Sequence, residues 1–317
     1  MKRLLIPVDL GGSPQRCAIH PQAGSPPSPE LLRALIDHYL TERAPAGQIT
    51  PEVAFFRGGI PDDALLAAGR PFPMRVACSP ADLSPAVARH LRDQGVQTIE
   101  VELLSFDSQV LRDCRRGYRG RAVLPMIDGL RKLGFSIGAV LSPGLPGSSH
   151  QSALADVDQL LGPTGPRVDF VRIYPALAFV GSDLARWESE GRWRPMHLGE
   201  AVTTVCAMLD VLDRAELEVI RIGLQPGQDV PYQVSAGPLH PNLRGLVETR
   251  RFRARMATAL GQPPPGSHII LLVNPKDLSW AKGTSNENIR ALRASLQLRQ
   301  LTIMTDVSIE RGRVEVA

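Results

Sequence analysis

The stretch Leu4-Leu5-Ile6-Pro7-Val8, followed by Gly12-Ser13-Pro14-Gln15-Arg16-Cys17-Ala18-Ile19-His20, sets the reading of the whole chain. A short apolar run at the start reads as a buried strand. The loop after it has the outline of a metal-cluster loop. With G-C-P-x-x-C-x-x-C it would announce an iron–sulfur cluster, whose irons are held by soft thiolates. Here the run is G-S-P-x-x-C-x-x-H, so Ser13, Cys17 and His20 stand where three thiols would be expected.

The 317 residues suffice for one large α/β barrel with a small appendage, and 43% hydrophobic with 21% charged residues is ordinary for a soluble globular chain. No apolar run reaches the roughly 18 residues of a membrane helix. The start, Met1-Lys2-Arg3 and a short apolar run, lacks the form of a signal peptide, so a cytoplasmic protein without membrane contact is expected. Net charge is +4. Arginines cluster at Arg112, Arg115, Arg116, Arg119 and Arg121, and again at Arg244, Arg250, Arg251, Arg253 and Arg255. Such runs read as solvated helix faces or as a phosphate-contacting patch; RNA stays unsupported, because no aromatic strand motif accompanies them. Cys17, Cys78, Cys114 and Cys206 form no C-x-x-C clip, which argues against structural zinc or a disulfide scaffold.

Apolar strands alternate with helical patterns over residues 1–225. Strands are expected at 4–8, 52–56, 74–78, 98–103, 135–141, 168–174 and 218–224. Helices are expected at 29–43, 62–68, 84–94, 108–115, 121–133, 149–161, 182–190 and 198–215. In the first helix Leu31, Leu32, Leu35, Ile36 and Leu40 form a stripe of period 3.6. This alternation predicts a parallel sheet covered by helices. No G-x-G-x-x-G follows the first strand, so a full or partial β/α barrel is favoured over a Rossmann sheet. From 226 to 317 a Gly/Pro-rich connector, a basic helix at 242–260, strands at 268–273, 301–307 and 313–316 and a helix at 286–298 predict a small α+β extension. No hydrolase or nucleotide-triphosphatase motif is present.

Several segments carry a resemblance: Gly144-Leu145-Pro146-Gly147, Val171-Arg172-Ile173-Tyr174-Pro175 with Gly181, Trp187…Gly191…Pro195, Arg221-Ile222-Gly223-Leu224-Gln225-Pro226, Gly237-Pro238-Leu239-His240-Pro241 and Asn274-Pro275-Lys276-Asp277-Leu278-Ser279. In this order, over nearly the whole chain, they resemble the radical SAM superfamily. The nearest branch is that of the Elongator catalytic subunit, in its short bacterial members without an acetyltransferase domain. The resemblance implies a partial, TIM-like β/α barrel with its site at the C-terminal ends of the strands. It also implies a 4Fe–4S cluster on C-x-x-x-C-x-x-C and S-adenosylmethionine on the cluster's fourth iron.

Set against that pattern, Ser13, Cys17 and His20 are the remnant cluster positions. His20 offers a neutral nitrogen, as histidine does in Rieske centres, whereas Ser13 would have to bind as a costly alkoxide. The family's G-G-S stretch corresponds to Arg57-Gly58-Gly59-Ile60, where backbone must approach the cofactor closely. The end of the third strand reads Ala77-Cys78-Ser79-Pro80-Ala81. E-x-G-x-Q-S is replaced by Glu100-Val101-Glu102-Leu103-Leu104-Ser105, and R-G-H-T by Arg116-Gly117-Tyr118-Arg119. Gly58, Gly59, Glu100 and Ser105 are the cofactor-binding positions the resemblance carries over; no catalytic residue is named. Cys78 would supply a second thiolate only in a rebuilt site. Glu100 and Glu102 share a strand face and read as a carboxylate pair or as partners of arginines. His240 and Asn242 read as turn or capping residues, or as substrate contacts. Two expectations follow. One is a degenerate, non-catalytic binding subunit with no cofactor bound in the usual form, paired with an intact radical SAM relative or with itself. The other is an active radical SAM enzyme with atypical ligands, acting in tRNA modification by analogy with Elongator.

Overall fold

A computed structural model of the chain describes residues 2–11, 25–43, 49–57, 59–163, 167–224 and 233–317. The segment 12–24, which carries Ser13, Cys17 and His20, lies outside them, as do Gly58 and the boundary read at Gln225.

The chain divides into two compact units, Met1–Leu239 and His240–Ala317. The first alternates strand and helix: β1 (Lys2–Asp9), α1 (Pro29–Arg43), β2 (Ile49–Phe56), α2 (Asp63–Gly69), β3 (Met74–Cys78), α3 (Pro85–Asp93), β4 (Val96–Leu104), α4 (Ser108–Asp113), α5 (Gly120–Lys132), β5 (Ser136–Leu141), α6 (His150–Leu161), β6 (Phe170–Ile173), β7 (Ala178–Phe179), α7 (Asp183–Ser189), α8 (Leu198–Arg214), β8 (Glu218–Ile222) and β9 (Val234–Ala236). Seven strands form one sheet in the order β1-β2-β3-β4-β5-β6-β8. Every neighbouring pair is parallel. This is the curled half-barrel of the α/β class that the alternation predicts. β7 and β9 pair as a separate antiparallel ribbon, too short for a periodic signature.

Burial explains the strand pattern. All five residues of β3, Met74-Arg75-Val76-Ala77-Cys78, are buried. That is the condition of a parallel strand covered on both faces, which reads as a continuous rather than alternating run. The helices begin where side chains replace missing intrahelical acceptors. Asp62 accepts from the Leu65 amide at 2.8 Å and Ser84 from the Val87 amide at 3.2 Å. The α1 stripe is narrower than its spacing suggests: Leu32 and Ile36 are buried, while Leu31 is 60% exposed.

The second unit contains α9 (Leu243–Leu260), β10 (His268–Val273), α10 (Leu278–Lys282), α11 (Glu287–Ser295), β11 (Gln300–Thr305) and β12 (Val314–Val316). Its sheet runs β11-β10-β12, with a core of Phe252, Met256, Leu271, Val273 and Leu292. Here the Asn274–Ser279 motif is a brace. Buried Asp277 accepts from Arg311 and from the Gly312 amide at 2.7 Å, and the Asn274 amide donates to the Ile309 carbonyl at 2.8 Å. His240 accepts from the Asn242 amide at 3.1 Å and Asn242 caps α9 at the Gly245 amide, 3.1 Å away, so both serve the turn. Among the described residues no helix is long and apolar enough to cross a membrane.

Candidate functional site

Parallel β/α sheets present their working groups inside the curve and at the C-terminal ends of the strands. Four of the interior groups are charged. Glu52 on β2, Arg75 on β3, Glu100 on β4 and Arg172 on β6 are 1, 6, 1 and 8% exposed. Arg75 grips Glu52 with two bonds of 2.9 and 3.2 Å and also bonds Glu100. Arg172 holds Glu100 from the other side at 2.8 and 3.0 Å. It also donates to the Tyr174 hydroxyl at 3.2 Å, and burial pushes that phenol above its ordinary pKa. The two positive and two negative charges cancel, and each is met by fixed partners. That is the condition under which buried ions are tolerated. Aromatic rings complete the tier. Phe170 lies under Arg75 at 5.0 Å and Phe56 under Arg172 at 5.7 Å. Gly138 makes room for it, because a Cβ there would sit 2.2 Å from the Phe170 ring.

Above this tier the strand ends form a rim. Arg57 follows β2 with φ of 55° and pairs with Asp9 at the end of β1. Gly59 beside it is buried and has φ of 76°. Glu102 meets Arg116 at 3.3 Å, and the Tyr118 hydroxyl donates to the Leu103 carbonyl at 2.6 Å. The two strand carboxylates therefore do not act on one another: Glu100 belongs to the tier and Glu102 to its own arginine. Cys78 is fully buried. Burial pushes its thiol far up, and the Glu102 and Asp82 carboxylates push it further, so it is held as the neutral thiol rather than as a thiolate ligand. Burial raises Asp82 too, with Glu102 adding to it and Arg116 opposing. Among the described residues no group of three or more His, Cys, Asp or Glu is placed to hold a metal ion.

The turn after β4 is built around two residues the family pattern marks. Leu104 has φ of 62° and is buried with Val110, Val140, Trp187 and Trp193 in an apolar cluster. Ser105 is buried, and its hydroxyl donates to Asp156 at 3.1 Å and accepts from the Asp107 amide at 3.0 Å. Asp156 on α6 also accepts from the Phe106 amide at 2.6 Å, and burial raises its carboxyl to about 6. Arg75, Arg172 and Asp156 are the charged residues that sequence reasoning passed over. The signal was present as a single charge inside each apolar pattern: Arg75 within β3, Arg172 within β6, and Asp156 between Ala153 and Val157 on the inner face of α6.

Comparison with known proteins agrees with this fold. A family model described as the radical SAM C-terminal domain matches residues 168–253. Elongator complex protein 3 of Homo sapiens is 28% identical over 169 residues, covering 51% of this chain and 29% of that protein. The tRNA uridine(34) acetyltransferase of Dehalococcoides mccartyi is 26% identical over 174 residues, covering 54% of this chain and 37% of that protein. The chain thus matches 29 to 37% of the length of these relatives. Among solved structures, archaeal Elp3 of Methanocaldococcus infernus with an N-terminal deletion superposes with a TM-score of 0.62 at 17% identity, covering 85% of this chain and 70% of that one.

Proposed function

We propose that this radical-SAM-like chain, similar to proteins of the Elongator type, is a binding subunit that has given up the family's cofactor chemistry and works beside an intact radical SAM relative. The observation that carries the reading is the donor set. Ser13, Cys17 and His20 bring one thiol to a stretch where the family pattern has three thiolates to hold a cluster. A serine hydroxyl stays protonated where a cysteine ionises, and soft sulfur is what iron–sulfur clusters select. The residues present do not fit a 4Fe–4S cluster, so no step is routed through one or through S-adenosylmethionine. Three rim features support the same reading. Leu104 stands at the family's glutamine position with its side chain in an apolar cluster, Arg57 is engaged with Asp9, and Cys78 is a neutral thiol.

In this reading the chain's own residues do structural and recognition work. The charged tier keeps the half-barrel in shape without a cofactor. The rim of Asp9, Arg57, Glu102 and Arg116 offers paired charges to whatever covers it. The partner proposed is a relative with all three cluster cysteines. A homodimer is the simpler alternative. Since one relative is named for a tRNA uridine, the assembly is proposed to act in tRNA modification.

Anaerobic reconstitution with iron and sulfide tests the reading. The wild-type chain is expected to take up no stable cluster and to make no 5′-deoxyadenosine, while Ser13→Cys with His20→Cys restores iron–sulfur absorption. Uptake of about four irons per chain with 5′-deoxyadenosine formation by the wild type would instead establish an active enzyme with Cys17, His20 and Ser13 as atypical ligands.

A further inference from the structure

Two of the segments that carry the family resemblance meet away from the charged tier. The loop Gly144-Leu145-Pro146-Gly147 after β5 and the stretch around Trp193 before α8 line an open cavity of about 490 Å³. That lies within the range of about 300–1,000 Å³ typical of small-molecule sites. The cavity is held open by bonds between its own walls. The Trp193 indole donates to the Gly144 carbonyl at 3.1 Å. The Ser148 hydroxyl accepts from the Gly144 amide at 3.1 Å and donates to the Leu145 carbonyl at 2.7 Å. Gly144 has φ of 91°, and a Cβ on it would lie 3.0 Å from the Met196 side chain, so glycine is required where the two segments touch.

The lining states what kind of ligand suits it. Leu145, Trp193 and Met196 supply an aliphatic, an aromatic and a thioether surface, on which a flat ring packs well. The charges at the edge cancel: Arg194 holds Glu200 through bonds of 2.9 and 3.2 Å, so nothing there selects an ion. The remaining wall is polar. His150 Nδ1 lies 3.1 Å from the Thr204 hydroxyl, which fixes the ring and leaves Nε2 for a ligand.

We propose that this cavity binds a nucleobase: a flat, uncharged heteroaromatic ring whose face packs on Trp193 and Met196 and whose polar edge meets His150. The site adjoins the rim turn through the cluster that Leu145 and Trp193 share with Leu104, and it does not depend on the partner role above. Two sources supply this chemistry, a free nucleoside and an unpaired base in a single-stranded RNA.

Saturation-transfer NMR and calorimetry on the full chain separate them, with adenosine, guanosine, cytidine and uridine in one arm and short single-stranded RNA in the other. p-Cresol and inorganic phosphate serve as control ligands. Thr203→Phe fills the cavity from the exposed face of α8, and His150→Phe keeps a ring while removing its nitrogens. Binding tighter than about 1 mM is expected in at least one arm. Thr203→Phe should weaken it about tenfold or more and His150→Phe less, with circular dichroism unchanged. Nucleoside binding assigns the free source, and binding confined to RNA but sensitive to Thr203→Phe assigns the strand. The proposal fails if neither arm binds, if Thr203→Phe leaves binding unchanged, or if p-cresol or phosphate binds as tightly as the nucleobase ligands.

Discussion

Inside the half-barrel, Arg75 and Arg172 hold Glu52 and Glu100 in a closed set of ion pairs from which water is excluded. Two residues further along β4, Glu102 meets Arg116 at 3.3 Å and keeps 20% of its side chain exposed. The same strand thus carries a carboxylate whose partners are fixed by the fold and one whose partner is a matter of the rim. Losing one member of the first set strands a charge with no route to water, whereas the partly exposed Glu102 keeps one when it parts from the buried Arg116. This difference runs alongside the departures from the radical SAM pattern that the sequence resembles. Arg57, Glu102 and Leu104 are all at the rim, while the segment Val171–Pro175, which contributes Arg172 to the tier, is retained.

The strongest way to break that comparison is at its centre. Arg75→Met leaves Glu52 without its bidentate partner and Glu100 with Arg172 alone. The expected loss is about 3–5 kcal/mol of unfolding free energy, measured by urea denaturation. Adding Glu52→Leu should recover part of it by removing the stranded charge. A loss under about 1 kcal/mol, as for an exposed pair, would mean that the interior is wet and that tier and rim obey the same rules.

Leu104 sharpens the comparison from the rim side, because there a buried apolar side chain stands on a left-handed backbone. Removing the side chain leaves a hole in the cluster with Val110 and Trp193, so Leu104→Ala is expected to cost about 2–5 kcal/mol. Glycine loses one more methyl but escapes the left-handed penalty of about 1–2 kcal/mol. Leu104→Gly should therefore be no less stable than Leu104→Ala, the reverse of the usual order. Finding alanine clearly the more stable of the two would show that φ of 62° stores no strain.

How much of this was legible beforehand follows from the same physics. The seven sheet strands could be read because parallel strands buried on both faces leave apolar runs, as in Val53-Ala54-Phe55 and Ala139-Val140-Leu141. The β7–β9 ribbon, of two and three residues, is shorter than any period and could not be. The tier was hidden because pairing depends on register between strands: nothing in the sequence near Arg75 says that Glu52 and Glu100 lie to either side of it. The arginine runs stand out in the sequence instead. There the structure buries Arg116 and Arg251 against Glu102 and Glu248 and leaves Arg112, Arg115 and Arg250 exposed, so each run is part pairing and part solvated face. The rim substitutions were legible only against a known family pattern. Their consequences, such as Leu104 turning into the apolar cluster, required coordinates.

The smallest expected effect is at the brace between α6 and the rim turn, and it carries a pH signature. Asp156 accepts from the Phe106 amide and the Ser105 hydroxyl, and burial raises its carboxyl to about 6 from an ordinary value of 3.8. A carboxyl whose pKa is higher folded than unfolded binds its proton more tightly in the native state. Its contribution is therefore fully present below the unfolded value and is lost as pH rises from about 4 through about 6. Asp156→Asn keeps an oxygen for the Phe106 amide but cannot ionise. It should be at least as stable as wild type at pH 8 and should flatten the fall in stability between pH 4 and pH 6. Asp156→Ala leaves the buried Phe106 amide without its acceptor and should lose about 1–3 kcal/mol below pH 4, a deficit that shrinks toward pH 6 as the wild type loses its own contribution. Denaturant midpoints across that pH range separate the two contributions. If Asp156→Asn keeps the wild-type slope, the titrating group lies elsewhere and the brace is an ordinary neutral hydrogen bond. If it flattens the slope, the rim is held by a group poised to change its charge, whereas the tier below it is held by charges with fixed partners.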